Sequence, residues 1–269
     1  MPLLRSLSCP SLPAAGGGFP FDVPAVRALG TLELDQPVTF LVGENGTGKS
    51  TVVEALALAA GVPTVGSEAA GEDPTLRAVR ELAHRLRLVW NRRATRGFFL
   101  RAEDFFGFAK RVSAERAAML RRLEELDGEY AERSTYAKGL AAGPVNASLH
   151  DMERRYGADL DARSHGEGFL RLFRSRLVPD ALYVLDEPET PLSPQSQLAF
   201  LAMLHDMVGQ RAQFVIATHS PILLAYPGAA IYSFDETPAR RVPWDELEHV
   251  RLTRDFLSAP ERFLRHLIA

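Results

Sequence analysis

Val38-Thr39-Phe40-Leu41-Val42-Gly43-Glu44-Asn45-Gly46-Thr47-Gly48-Lys49-Ser50 is the stretch on which the reading of this chain turns. Its first five residues form a short apolar run rich in β-branched side chains, which predicts a central, buried strand. Glycine then recurs at 43, 46 and 48, and Ser50 to Ala60 reads as a helix. Gly43 to Ser50 matches G-x-x-x-x-G-K-[ST] at every fixed position. Glycines let such a loop curl until successive backbone N–H groups point at phosphate oxygens, and the following helix presents its N-terminus to the same anion. In that arrangement Gly43, Glu44, Asn45, Gly46, Thr47 and Gly48 cradle phosphate and Thr51 stands beside them. Lys49 reaches the β and γ phosphates, and the Ser50 hydroxyl is placed to ligate Mg2+. A glycine-rich turn can match by chance, but here it joins a buried strand to a helix, as the mechanism requires.

Two later stretches have the same construction. Leu182-Tyr183-Val184-Leu185-Asp186-Glu187-Pro188 is four apolar residues ending in two carboxylates. Open α/β sheets place ligands at the carboxyl ends of their strands, which suits Asp186 to hold Mg2+, directly or through water. Glu187, one residue farther on, is suited to polarise a water attacking the γ-phosphate. The bland alternative is a solvated acidic turn. Phe214-Val215-Ile216-Ala217-Thr218-His219-Ser220-Pro221 delivers a histidine in the same way. Delivered beside the other two sites, His219 contacts the γ-phosphate or orients the water; a satisfied structural histidine is the competing reading.

Around these strands, Leu32 and Leu34 alternate with acids as an amphipathic strand would, and Ala230 to Phe234 predicts a further buried strand. Pro194 to Val208 has the spacing of a crossover helix. Short buried strands alternating with helices predict an α/β fold, a P-loop core with a mostly parallel sheet and a helical insertion. Residues 1–60 and 161–269 are assigned to the core and 61–160 to an Arg-rich helical insertion. Within the insertion, Thr75 to Trp90 and Val112 to Tyr136 read as helices and Ala137 to Ser148 as a loop. The Ser-, Pro- and Gly-rich opening to Gly18 reads as a loosely ordered lead-in or an edge segment.

Gly-Glu-Asn-Gly-Thr-Gly-Lys-Ser-Thr, Leu-Asp-Glu-Pro-Glu and Ala-Thr-His-Ser-Pro, in that order, resemble the ABC-type P-loop ATPase superfamily. The Gly-Glu-Asn-Gly form, Glu189 and Thr-His-Ser-Pro are most similar to its soluble branch, which includes RecF-like and SMC-like proteins and AAA-family ATPases. The likeness covers about Thr31 to Ala60 and Arg163 to Phe234. It implies Mg-dependent ATP binding and hydrolysis by a head-to-tail homodimer that closes around ATP. It also implies a serine-glycine signature supplied by the opposite protomer. Ser164-His165-Gly166-Glu167-Gly168 lies where that signature belongs, which points to Ser164 and Gly166, although an ordinary glycine N-cap loop fits too. A glutamine loop is implied as well, yet no glutamine occurs between Pro37 and Pro194. Glu103 follows an apolar lead-in at about the right place and is the candidate substitute as a metal or water contact; a plain surface turn fits equally.

Length and composition bound the remaining choices. At 269 residues there is room for one such core and a short elaboration, with none for long coiled-coil arms. The lone Cys9 excludes an internal disulfide framework and fits a reducing compartment. No apolar run approaches a membrane span and the start lacks a secretory pattern, so a cytoplasmic location without direct membrane insertion is expected. The net charge of −3 conceals an uneven distribution. Arg77 to Arg122 carries thirteen basic residues against four acids, +9 in all. That segment either contacts nucleic acid or is a helix surface whose arginines pair with acids elsewhere. Two alternatives therefore stand beside the ATPase: an ATP-gated DNA-binding module, and the motor subunit of a transporter with a separate membrane partner.

Overall fold

The computed structural model describes residues 1–13, 17–65, 77–156 and 165–268. Its elements run β1 (Leu4–Ser8), α1 (Pro24–Arg27), β2 (Thr31–Glu33), β3 (Val38–Val42), α2 (Lys49–Ala60), α3 (Arg77–Arg85), β4 (Arg87–Trp90) and β5 (Gly97–Arg101). They continue with α4 (Ala102–Glu129), α5 (Thr135–Tyr156), α6 (His165–Arg176), β6 (Leu182–Asp186), α7 (Pro194–Gly209) and β7 (Gln213–Ala217). The chain closes with α8 (Pro221–Leu224), β8 (Ala230–Ser233), β9 (Arg240–Arg241), α9 (Glu248–Ser258) and α10 (Pro260–Leu267).

The main sheet has the order β5-β6-β7-β3-β8-β9, with every neighbouring pair parallel except β8 with β9. This is the expected α/β architecture. All five residues of β3, β6 and β7 are buried, which explains their near-continuous apolar character: both sheet faces are covered. Alternation along each strand divides the interior in two. Leu41, Val184, Val215 and Tyr232 face α2, α3 and a second sheet of order β2-β1-β4. Phe40, Tyr183, Phe214 and Ile231 face α6, α7 and the root of α4. On that side Phe98, Phe105, Phe169, Phe173, Tyr183, Phe200 and Phe214 form a run of tilted, edge-on and stacked rings with centroids 4.9–6.4 Å apart. Such geometry adds to the area term of each ring.

Two buried polar side chains bolt the small sheet to the large one. The Gln213 carboxamide accepts from Leu4 N–H at 2.7 Å and donates to Leu4 C=O at 2.8 Å and Leu34 C=O at 3.2 Å. It thus pairs with β1 as a backbone peptide would. The Tyr232 hydroxyl accepts from Glu33 N–H and donates to Glu33 C=O, each at 3.0 Å.

Several expectations need correction. The opening segment is no edge: β1 is the middle strand of its sheet, because Leu3, Leu4 and Leu7 are buried and Gln213 satisfies Leu4. The helical reading of Thr75 to Trp90 runs too long; after Arg85 the chain turns into β4, whose Leu88 and Trp90 alternate with exposed residues and pack on the core. Phe98-Phe99-Leu100 is likewise a strand, β5, parallel to β6. The two long helices α4 and α5 follow directly from β5 at Ala102. The second of them, α5, runs through Ala137 to Ser148 in place of the expected loop, Pro144 included. Alanine-rich sequence favours helix, and packing on α4, including the Arg116–Glu153 ion pair at 3.0 Å, outweighs the glycines and the proline.

Replacing Gln213 by Leu keeps the volume but leaves the Leu4 and Leu34 backbone groups without their partner. It is expected to cost about 2–4 kcal/mol, read as a lowered midpoint in urea unfolding.

Candidate functional site

Parallel pairing of β3, β7 and β6 brings the carboxyl ends of three strands together, and with them the three segments singled out in the sequence. β3 leads into the Gly43–Gly48 loop and then α2. Gly43, Gly46 and Gly48 have φ of 147°, 83° and 98°, a region that side chains with a Cβ rarely adopt. Gly48 is constrained twice, since a Cβ there would lie 2.6 Å from Val23 Cγ1. The loop is braced by Thr47 Oγ1 donating to Glu44 C=O at 2.9 Å and by Glu44 N–H donating to Asp235 Oδ1 at 2.8 Å.

Lys49 is only 4% exposed, and its Nζ donates to Gly43 C=O at 2.7 Å and Glu44 C=O at 2.8 Å. Burial pulls its pKa below the ordinary lysine value, while Glu187, Asp186, Asp235 and Glu189 oppose that shift. Ser50 Oγ, in the first turn of α2, donates to Asp186 Oδ1 at 3.2 Å. Asp186 is 8% exposed, and burial pushes its carboxyl up to about 7 against the hydrogen bond from Ser50. A hydroxyl and a desolvated carboxylate this close are a hard oxygen donor pair, which suits Mg2+ with water completing its shell.

Glu187 has φ 49° and donates its N–H to Ala217 C=O at 2.9 Å, which turns its side chain out of the strand line. His219 Nε2 lies 3.6 Å from Glu187 Oε1. Burial and then Lys49 push the His219 pKa below its usual value. Its Nε2 is buried without a hydrogen-bond partner among the described residues, the condition of an atom kept for a ligand or water. Glu189 Oε1 accepts from His219 N–H at 2.7 Å. Ser220 caps α8 by accepting from Leu223 N–H at 3.1 Å and donates to Gln197. The histidine turn is thus fixed from both sides.

The remaining candidates separate. Gly166 lies in the first turn of α6, where a Cβ would approach Pro191 C=O to 3.0 Å and Ser196 Oγ to 3.3 Å; within one protomer it packs beneath the turn after Glu189. Ser164 lies outside the described residues. Glu103 falls in the first turn of α4, and its side chain is also outside them. Four residues went unremarked as site residues in the sequence: Asp235, Glu189, Phe19 and Arg101. Glu189 was visible one residue beyond Pro188, but its partner is a backbone N–H thirty residues away. Phe19, 60% exposed, lines a cavity of about 220 Å3 with Val23, Asn45, Lys49 and Thr51. Arg101 ends β5 directly beside Asp186.

A family model described as "AAA domain, putative AbiEii toxin, Type IV TA system" matches residues 80–225, and a second, described as "AAA domain", matches residues 26–80. No curated protein sequence matches the chain. Among solved structures it is similar to the Smc head domain of Pyrococcus furiosus with an extended coiled coil bound to the C-terminal domain of ScpA. That likeness has 11% identity and a TM-score of 0.48, over 95% of this chain and 100% of that one. The SMC head domain from Thermotoga maritima gives 16%, 0.41, 90% and 99% for the same measures. The ADP conformation of an ATP-binding cassette of an ABC transporter gives 15%, 0.45, 97% and 96%.

Gly48→Ala tests the loop geometry directly. A left-handed φ and a clash with Val23 together predict at least a tenfold (~1.4 kcal/mol) loss of nucleotide affinity in a fluorescence titration, with the far-ultraviolet circular dichroism unchanged.

Proposed function

The chain belongs to this AAA-domain family of P-loop ATPases, and we propose that it hydrolyses ATP with Mg2+ in a head-to-tail homodimer that closes around nucleotide. The observation that carries the reading is the contact between Ser50 and Asp186. Residues 136 positions apart meet at the mouth of the phosphate loop, with Glu187 and His219 beside them.

Gly43 to Gly48 offer backbone N–H groups to the β and γ phosphates, and Lys49 exchanges its loop carbonyls for phosphate oxygens. Ser50 and Asp186 hold Mg2+, which when bound neutralises charge on the phosphates. Glu187 orients the attacking water and receives its proton. His219 places its unpartnered Nε2 on the γ-phosphate side, held there through its backbone by Glu189. The adenine lies against Phe19 and Val23, the apolar wall of the adjoining cavity. Gly166, with Ser164 ahead of it, closes the site of the opposite protomer. Hydrolysis removes the γ-phosphate that both protomers grip and so releases the dimer.

A second reading, contact with nucleic acid, has one observation in its favour. Arg85, Arg92, Arg101, Arg116 and Arg122 are held by carboxylates, whereas Arg87, Arg93 and Arg96 stand exposed along the β4–β5 strip.

Glu187→Gln is expected to lower ATP turnover by about 10²-fold or more and to accumulate an ATP-bound dimer, detected by light scattering with and without ATP. A variant that stays monomeric with saturating ATP rules out the dimer scheme. For the second reading, replacing Arg87, Arg93 and Arg96 by Ala should reduce the salt dependence of duplex DNA binding, with a log–log slope smaller by up to about 3. An unchanged slope removes that strip as the contact.

A further inference from the structure

Beside the Ser50–Asp186 contact lies a cavity of about 420 Å3 whose wall includes Ser50, Glu54, Arg101, Asp186, Glu187 and Thr190. Three of these are carboxylates and one is a guanidinium. Arg101 is 7% exposed and is the last residue of β5, in register with Asp186 across the parallel ladder. A buried guanidinium is costly unless its donors are matched. Here Nε and Nη2 form a fork with Asp104 at 2.9 and 3.0 Å, and Nη1 makes a longer contact, 3.5 Å, with Glu54 Oε1. Asp104 sits in the first turn of α4, and Glu54 lies one turn of α2 beyond Ser50, so both anchors belong to elements that begin at the site. The Glu54 side of the guanidinium therefore faces the cavity while the Asp104 side holds its orientation.

We propose that Arg101 is the second cation of the nucleotide site: the fork to Asp104 holds the guanidinium plane in place, and when ATP binds, Nη1 donates to a γ-phosphate oxygen that enters the cavity, at the expense of its long contact with Glu54. The proposal rests on the ATP-binding reading above. A permanently charged, planar donor set is matched to phosphate oxygens, and phosphate carries more charge than the Glu54 carboxylate. Lys49 approaches the phosphates from the loop side, whereas Arg101 stands on the Asp186 side, so the two do not compete for one place. Because the contact is to the terminal phosphate, it separates ATP from ADP rather than strengthening both.

The test measures affinity for ADP and for a non-hydrolysable ATP analogue, each with Mg2+, by isothermal titration calorimetry. The proteins are wild type, Arg101→Lys and the double variant Arg101→Met with Asp104→Asn. The double variant removes the fork as a pair, leaving no orphaned charge at that end, and a thermal melt checks its fold. In the double variant the preference for the ATP analogue over ADP should fall by about tenfold, with ADP affinity within about twofold of wild type. Arg101→Lys should give an intermediate preference, because it keeps the charge and loses the fork. An unchanged preference, or equal losses for both nucleotides, overturns the role of Arg101. If wild type binds neither nucleotide, the ATP-binding reading itself fails, and this inference with it.

Discussion

Parallel pairing of β6, β7 and β3 is the constraint on which the rest of the molecule depends. In a parallel ladder all strands finish at the same edge, so Asp186, His219 and the Gly43–Gly48 loop are delivered to one rim whatever the length of chain between them. The arrangement demands burial on both faces, because each strand must run back under a covering layer. That demand accounts for α2, α3 and the small sheet on one side and for the aromatic layer beneath α6 and α7 on the other. It accounts for the electrostatics as well. A carboxylate at the end of a buried strand and a lysine opening the helix beside it both lose water, which is why the pKa values of Asp186 and Lys49 move in opposite directions, Asp186 up and Lys49 down.

What the sequence disclosed follows from the same physics. β3, β6 and β7 were legible because strands buried on both faces are apolar throughout, and a glycine loop between strand and helix has few other uses. Asp186, Glu187 and His219 were legible by position alone, as polar residues ending such strands. Arg101 was not. β5 reads as Gly-Phe-Phe-Leu-Arg between charged segments, and nothing local says that its edge pairs with β6. Asp104, three residues on, supplies the fork that makes a buried arginine tolerable, but nothing local says that Arg101 is buried, and its other partner Glu54 lies 47 residues away. Asp235 and Phe19 escaped for the same reason: each meets the phosphate loop through tertiary structure only. α5 is not legible locally because Gly139, Gly143 and Pro144 disfavour a helix on their own, and only packing on α4 outweighs them.

Charge behaves similarly. The segment from Arg77 to Arg122 is strongly basic by count, yet the fold divides it. Arg92 and Arg211 both grip Asp180, whose carboxyl they hold well below the usual carboxylate range. Arg122 is shared between Glu125 and Glu129, and Arg101 faces inward. A count of arginines thus overstates the unpaired positive surface; the strip at Arg87, Arg93 and Arg96 faces solvent, as do Arg77, Lys110, Arg111 and Arg121 elsewhere in the segment.

The Lys49 ammonium, held by the Gly43 and Glu44 carbonyls, makes the phosphate loop its own competitor. Those carbonyls are tethered six and five residues away, so their effective concentration is fixed by the chain and does not dilute. Any anion that enters is in exchange with them, and its measured affinity is a difference between two sets of hydrogen bonds. A weak or neutral ligand cannot win that exchange, whereas a polyphosphate, which also engages the loop N–H groups, can. Selectivity for highly charged ligands is in this sense set by the protein's internal ligand as much as by the external one.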